Sequence, residues 1–263
     1  MRKTYRDSSV KDYWCSRWDD VPADQPMAND QVYPLKYAKQ IINDKKGRIL
    51  EAGCGVGRLV RYFHNDGFDI FGIDFIDIAI KKLKGIDSSL NVEVGDITSL
   101  RFDDKSFKYI LAFGLYHNLE KDLDIAIKET YRVLENGGSV CASFRADNIQ
   151  TKLTDWLTKK NLFRRKKNIN NKAFHKMNLT KSEFKNVFER AGFRVSSIVP
   201  VENMPILYKF SFFRESNHKK FDENIARSQG YRLSWFGQYC QNLLMKFFPD
   251  QFCNIYVLIA HKN

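Results

Sequence analysis

Hydrophobic residues follow two alternating periods between residues 47 and 144. Short apolar runs such as 107–114 have the length of buried strands, whereas 122–134 places Leu123, Ile127 and Tyr131 on one face of a helix. The predicted strands are 47–52, 68–74, 91–96, 107–114 and 139–144, and the helices between them are 59–65, 77–83 and 122–134. Strands that alternate with helices predict a parallel sheet with helices on both faces.

Outside this region the pattern predicts fewer elements. A helix is expected at 34–43, and the capping box Thr180-x-x-Glu183 begins another that ends at Gly192. Further strands are expected at 193–201 and 254–262. We therefore predict four segments, which are an N-terminal helical lid at 1–45, a Rossmann-like core at 46–145, a basic lid or insertion at 146–180, and a C-terminal part at 181–263 that completes the sheet and contains an insertion at 202–253.

A glycine-rich loop follows the first predicted core strand and precedes a helix. Its spacing is G-x-G-x-G over Gly53, Gly55 and Gly57, and Arg58 stands where the dinucleotide pattern G-x-G-x-x-G has its third glycine. Glu51, two residues before the loop, would repel a pyrophosphate but would tolerate a sulfonium and an ammonium group. The loop therefore suits a cationic adenosyl ligand better than NAD, although a tight strand-to-helix turn without a ligand explains the same glycines.

Acidic residues also end the next two predicted strands. Asp74 lies where a carboxylate can accept hydrogen bonds from both hydroxyls of a ribose, and Asp96 lies where one can accept from an adenine amino group. The fourth strand ends at Phe113 and Gly114. Open α/β sheets bind ligands at the carboxyl ends of their strands, so we expect these residues to line one rim.

With these motifs, residues 47–144 resemble the class I S-adenosylmethionine-dependent methyltransferase superfamily, especially its small-molecule branch. The residues that match the family's cofactor-binding positions are Glu51, Gly53, Gly55, Gly57, Asp74, Phe75, Asp96, Ile97 and Phe113. The resemblance implies that the loop and Phe113 contact the methionine part, that Asp74 holds the ribose with Phe75 beside the adenine, and that Asp96 binds the adenine amine with Ile97 alongside. S-adenosylmethionine would be the cofactor and S-adenosylhomocysteine the product.

The resemblance also implies a fold. It is a Rossmann-like α/β fold with a seven-stranded, mostly parallel sheet, helices on both faces, an antiparallel last strand at 254–262 and helical lid insertions. The resemblance says nothing about the methyl acceptor.

Methyl transfer is an in-line displacement that depends mainly on alignment and on the exclusion of water, so an obligatory catalytic side chain is not required. A hydroxyl acceptor would be helped by a general base. His117, just after the fourth strand, is the candidate for that base, with a structural or lining role as the alternative. His175 lies near the basic segment, and we expect it on the surface.

Aromatic residues near the N-terminus are candidates for a lid or for substrate contacts. Together with a residue after the fourth strand, these candidates are Tyr13, Trp14, Arg17, Trp18 and Tyr116. The alternative is that the N-terminal aromatics only pack against the edge of the sheet.

Five scattered cysteines with no C-x-x-C pair argue against a disulfide framework and against a zinc site, and no metal is expected. The polar N-terminus does not resemble a signal peptide, and the apolar runs are too short to span a bilayer. We therefore expect a cytoplasmic protein. The net charge is +12, and residues 145–190 contain 13 Lys and Arg against 4 Asp and Glu.

Several acceptors remain open. The first is a small molecule, methylated on a hydroxyl or other oxygen, with anionic compounds among the candidates. The second is RNA bound by the basic segment 145–190, although the fourth strand end lacks the D/N-P-P-Y/F type sequence of similar base-amino methyltransferases. The third is a lipid or quinone at a membrane contacted by the aromatic segment 231–248. A binding module without activity is the non-enzymatic alternative, and the oligomeric state is open.

Overall fold

Strands and helices alternate along most of the chain. The computed structural model describes residues 1–24, 26–27, 29–163, 172–216 and 231–263, and gives only the backbone for 158–163. The strands are β1 (Arg2–Arg6), β2 (Ile49–Ala52), β3 (Ile70–Asp74), β4 (Val92–Val94), β5 (Phe107–Ala112), β6 (Leu134–Arg145), β7 (Ala173–Asn178), β8 (Arg194–Val201) and β9 (Ile255–His261).

The helices cover both faces of the main sheet and also form the N-terminal and C-terminal additions. They are α1 (Val10–Asp20), α2 (Leu35–Ile41), α3 (Arg58–Asn65), α4 (Asp77–Ile86), α5 (Leu123–Val133), α6 (Ile149–Phe163), α7 (Lys181–Arg190), α8 (Trp235–Phe247) and α9 (Pro249–Phe252). Short 3-10 turns occur at Tyr116–Asn118, Ile206–Lys209 and Ser211–Phe213.

Seven strands form the main sheet in the order β4-β3-β2-β5-β6-β9-β8. The neighbours from β4 to β6 are parallel, and β9 runs antiparallel to both β6 and β8. All four residues of β2 are buried, as expected for a strand covered on both faces. Apolar residues of α2, α3 and α4 form the core on one face, and those of α5 and α7 form it on the other. The predicted seven-stranded fold with an antiparallel last strand is confirmed.

Local sequence signals identified these elements well. Each predicted core strand overlaps an observed one, and the predicted capping box is present, with the backbone N–H of Glu183 donating to the Thr180 hydroxyl and the Glu183 carboxylate accepting from the Thr180 N–H. In the parts of the chain that the structure describes, no helix is both long and apolar enough to cross a bilayer.

A second, two-stranded sheet was not predicted. Strand β1 pairs antiparallel with β7, about 170 residues later in the chain, and Ala146 after β6 bridges Leu179 after β7. The segment 1–45, predicted as a helical lid, therefore contains a strand as well as α1 and α2, and 146–180 contains both α6 and β7. Residues 164–171 of the basic segment 145–190 lie outside the described residues, as do residues 217–230 of the C-terminal insertion.

Candidate active site

The glycine loop between β2 and α3 depends on backbone conformations that disfavour other residues. Gly55 has φ +53° and Gly57 has φ +68°, in the left-handed region. A Cβ on Gly55 would lie 2.5 Å from the indole of Trp18, and one on Gly57 would lie 2.6 Å from Leu83. The two glycines are needed both for the turn and for the close approach of α1 and α4.

Glu51 lies at the base of this loop. Its buried carboxylate accepts a hydrogen bond from the backbone N–H of Val60, 2.9 Å away, in the first turn of α3. Burial raises the pKa of Glu51 to about 8, while the bond from Val60 and the charge of Arg58 oppose that rise. Near neutral pH the group is therefore largely protonated in the free protein, and a cation bound beside it would favour the carboxylate form.

Asp74 ends β3 and connects that strand to the loop. One oxygen accepts from the N–H of Gly55 at 2.8 Å, and the other accepts from the N–H of Ile76 at 2.9 Å. Burial raises the pKa of this carboxyl group, and both backbone bonds oppose the rise. Each oxygen of a carboxylate can accept a second hydrogen bond, so Asp74 can still bind a hydroxyl presented from the cavity.

Asp96 follows β4 on the same rim. Its side chain is exposed and accepts from the N–H of Thr98 at 2.8 Å and from the Thr98 hydroxyl at 2.7 Å. The adjacent Ile97 is buried, whereas Phe75, beside Asp74, is 54% exposed. An exposed aromatic ring next to two carboxylates has the chemistry required to hold a nucleoside.

One cavity of about 1030 Å³ brings these groups together. The predicted cofactor residues that line it are Glu51, Gly53, Asp74, Phe75, Asp96, Ile97 and Phe113. Gly55 and Gly57 are not among its lining residues in the described chain, and their role is in the backbone of the loop. The assignment of individual residues to parts of a cofactor stays a prediction.

The candidate lid residues divide into two groups. Tyr13, Trp14 and Trp18 of α1 line the cavity, and the rings of Trp14 and Trp18 stack with centroids 5.0 Å apart. Arg17 belongs to the same helix but is not a lining residue in the described chain. The prediction for Tyr116 is wrong, since its side chain is fully buried and its hydroxyl lies 2.7 Å from that of Thr130 in the core.

His117 follows Tyr116 in the same 3-10 turn and faces the cavity instead. Its ring is 8% exposed and lies edge-on to Phe144 at 6.3 Å between centroids. Burial, followed by the charges of Arg145 and Lys176, lowers its pKa well below the usual value. The imidazole is therefore neutral at physiological pH and can accept a hydrogen bond, but it is a weak base.

His175 is not on the surface as the sequence suggested. It is only partly exposed on β7, it lines the cavity, and burial lowers its pKa to about 4. Three cationic residues of the same wall, Arg6, Arg145 and Lys176, were also not identified from the sequence. They come from β1, β6 and β7, and no local spacing relates these strands.

Known proteins share the core of this chain. Residues 50–142 match the model of a family described as a methyltransferase domain. The ubiquinone/menaquinone biosynthesis C-methyltransferase of Rhodopseudomonas palustris is 33% identical over 91 residues, which are 33% of this chain and 35% of that protein. The malonyl-[acyl-carrier protein] O-methyltransferase of Erwinia billingiae is 28% identical over 110 residues, 41% of this chain and 43% of that protein. The matches thus span less than half the length of these relatives.

The fold also matches solved structures. A methyltransferase of Methanosarcina mazei described as SAM-dependent superposes with a TM-score of 0.57 and 17% identity, covering 88% of this chain and 98% of that one. An identity this low shows the fold alone, whereas the family match over 50–142 includes the glycine loop, Asp74, Asp96 and Phe113. Residues 50–142 therefore match a methyltransferase domain, and the seven-stranded fold is similar to that of the solved methyltransferase structure.

Proposed function

We propose that this protein binds S-adenosylmethionine at the carboxyl rim of β2, β3 and β4 and transfers its methyl group to a small-molecule acceptor in the same cavity. The observation that carries the proposal is that Glu51, Asp74 and Asp96 share one cavity with a wall that carries cationic side chains. Its volume, about 1030 Å³, is at the upper end of the range of roughly 300–1,000 Å³ for ligand sites, which leaves room for two ligands.

The residues present fit such a cofactor. Carboxyl groups beside the loop complement a sulfonium and an ammonium group, Asp74 retains acceptor capacity for a ribose hydroxyl, and Phe75 offers an exposed ring. The cofactor supplies a methyl group on sulfonium, which is already an activated leaving group. The protein therefore has to hold the acceptor in line and to keep water out.

Residues of this chain can both orient the acceptor and exclude water from the cavity. Trp14 and Trp18 of α1 cover the loop side of the cavity, and the Tyr33 hydroxyl is held 2.9 Å from that of Ser143. Neutral His117 can accept a hydrogen bond from an acceptor hydroxyl and orient its oxygen. We propose methylation of an oxygen, because this weak base suits a hydroxyl that is already acidic or an oxygen that carries no proton. A reducing, cytoplasmic location fits the five free cysteines.

Calorimetry with S-adenosylmethionine and S-adenosylhomocysteine tests the cofactor. We expect binding by the wild type and at least tenfold weaker binding by Asp96→Asn, which removes the carboxylate predicted to accept from the adenine amine. Because the Asp96 side chain is exposed and has no part in the core, the change should leave the fold intact. Asp103→Asn, another carboxylate change on an exposed loop, serves as the control. Absence of heat and of any thermal shift would overturn the proposal, and binding without methyl transfer to any acceptor in a metabolite panel would favour a binding module.

A second candidate acceptor is a lipid or quinone at a membrane surface. Helix α8 exposes several aromatic side chains, and Phe212, in the 3-10 turn Ser211–Phe213, is 77% exposed. The exposed residues of α8 include Trp235, Phe236, Tyr239, Leu243 and Phe247. Cosedimentation with vesicles containing anionic lipid, lost on Trp235→Ser, would support this candidate, and absence of the protein from the pellet would dispose of it.

The RNA alternative has less support. Two of the basic residues in 145–190, Arg145 and Lys176, line the cavity and so do not contribute to an outer surface that could bind an RNA backbone. Methyl incorporation into bulk RNA, with binding that weakens steeply as salt rises, would restore it.

A further inference from the structure

The wall of the cavity formed by β1, β7 and the end of β6 concentrates positive charge. Arg145 is the last residue of β6, Lys176 and His175 are neighbours on β7, and Arg6 ends β1. Alternation along β7 does not keep His175 and Lys176 apart here, since both line the cavity. The methyl-transfer mechanism outlined above uses none of these four side chains.

Carboxylates neutralise only part of this charge. Asp155 of α6 is shared between Lys176, whose Nζ is 3.2 Å from Oδ1, and Arg2, whose Nη1 is 2.5 Å from Oδ2. Arg2 also pairs with Asp147 at 2.6 Å. Lys176 is 8% exposed, so the counter-ion of this buried ammonium group is a carboxylate that it shares with Arg2.

Arg145 lacks such a partner among the described residues. No carboxylate lies within ion-pair distance of its guanidinium, and its Nε is sealed from solvent with no hydrogen-bond acceptor. A buried N–H without an acceptor is unfavourable, and a partly buried charge without a counter-ion adds to that cost. Burial lowers the pKa of Arg145, and the nearby Tyr13 and Asp155 oppose that lowering.

The cations of this wall destabilise one another. Burial, followed by the charge of Arg145, lowers the pKa of Lys176 to about 8. Burial also lowers the pKa of His175, and the charges of Lys176, Arg6 and Arg145 lower that pKa further. An anion bound between them would relieve this repulsion and give the Arg145 guanidinium a counter-ion. The planar guanidinium matches the two oxygens of a carboxylate or phosphate, and an ammonium adds a point charge.

Two parts of the cavity differ in their charged side chains, although Arg58 lies near Glu51 on the acidic rim. The carboxyl groups of Glu51, Asp74 and Asp96 belong to the cofactor rim, and Arg145 and Lys176 belong to the other wall. We propose that Arg145 and Lys176, with Arg6 beside them, bind a phosphate or carboxylate group of the methyl acceptor and so select anionic small molecules. This inference rests on the proposed function only in that the anion is taken to be part of the acceptor.

The test uses simple anions on the whole protein. Inorganic phosphate and, separately, acetate are titrated by calorimetry at constant ionic strength set with potassium chloride, in the presence and absence of S-adenosylhomocysteine. We expect at least one of the two anions to bind the wild type, and Arg145→Gln to weaken that binding at least tenfold, which corresponds to about 1.4 kcal/mol. The anion that binds identifies whether the subsite takes a phosphate or a carboxylate.

Matched variants make the result specific. Arg190→Gln removes the same charge from an exposed position at the end of α7, and it should change anion affinity less than twofold. If Arg145→Gln does not fold, Lys176→Gln is compared with Lys152→Gln, a change at an exposed lysine of α6. Binding of S-adenosylhomocysteine should be retained by every variant.

Two results would overturn the inference. One is that neither phosphate nor acetate binds the wild type beyond the effect of chloride. The other is that Arg145→Gln and Lys176→Gln both bind the anion as the wild type does. Failure of the wild type to bind S-adenosylhomocysteine would instead contradict the proposed function, so the two failures are distinguishable.

Discussion

Replacement of Gly55 by alanine probes the contact between the glycine loop and helix α1. Gly55 has φ +53°, and its ideal Cβ would lie 2.5 Å from one carbon of the Trp18 indole and 2.8 Å from another. The substitution therefore imposes a left-handed conformation on an L residue and at the same time forces the indole to move. Trp18 stacks on Trp14, so the displacement would extend along the cavity-lining face of α1.

The expected magnitude follows from these two effects. A non-glycine residue in the left-handed region costs roughly 1–2 kcal/mol. Displacement of a large ring from a tight contact adds about 1–3 kcal/mol, as overpacking does in other cores. We expect Gly55→Ala to reduce the free energy of unfolding by about 2–5 kcal/mol, since these two effects act together. For a domain of this size, that loss lowers Tm by several degrees, at roughly 2–4 °C per kcal/mol.

The assay combines thermal unfolding with calorimetric titration of S-adenosylhomocysteine. Binding should weaken at least tenfold, because Gly55 donates its N–H to Asp74 and the shift of the loop moves both groups. Gly85→Ala is the matched control. Gly85 lies inside α4 with no atom within 4 Å of an added Cβ, so alanine should stabilise the protein by about 0.5–1 kcal/mol.

A double variant separates the two effects. Gly55→Ala combined with Trp18→Ala removes the clash but keeps the backbone strain, and the two changes should couple by roughly 0.5–3 kcal/mol. If Gly55→Ala melts at the wild-type temperature and binds S-adenosylhomocysteine with unchanged affinity, the reasoning about this contact is refuted.

Three further predictions address single side chains. Glu51→Gln should become progressively more stable than the wild type as pH rises from about 4.5 to 8, by up to roughly 1.4 kcal/mol per pH unit, because the raised pKa of Glu51 opposes its ionisation in the folded state. Chemical denaturation at several pH values measures this difference in the free energy of unfolding, and a constant difference across the range would contradict the prediction. His117→Ala should slow turnover more than it weakens cofactor binding, and the wild-type rate should show no ionisation of this residue between pH 6 and 8, since its pKa lies well below that range. Tyr116→Phe should lose about 1 kcal/mol of stability with the hydroxyl contact to Thr130 and leave KM for an acceptor unchanged, whereas a raised KM would return Tyr116 to the substrate site.

The placement of Glu51, Asp74 and Asp96 along one cavity was predictable because its signals are local. Gly55 and Gly57 adopt conformations that few other residues tolerate, so their spacing alone marks a sharp turn after a buried strand. Asp74 and Asp96 follow parallel strands, and parallel strands that alternate with helices place their carboxyl ends on one edge. The order of glycine loop, strand and carboxylate in the sequence therefore predicts that these groups lie on the same edge of the sheet.

The direction of neighbouring side chains was not predictable. Tyr116 and His117 are adjacent in one 3-10 turn, yet the first is enclosed in the core beside Thr130 and the second faces the cavity. A shift of the turn by one residue would exchange the directions of the two side chains. Hydrophobic periodicity does not determine where so short an element begins.

The sequence by itself determined the alternating strands and helices of residues 47–144, the glycine loop and the acidic rim, because each depends on residues close together in the chain. Only the tertiary structure decided the opposite wall of the cavity. Pairing of β1 with β7 joins residues about 170 positions apart, and with the end of β6 it brings Arg6, Lys176 and Arg145 to one place. Polar strands of this kind carry no strong hydrophobic alternation, so their partner is chosen by long-range packing that a linear pattern does not record.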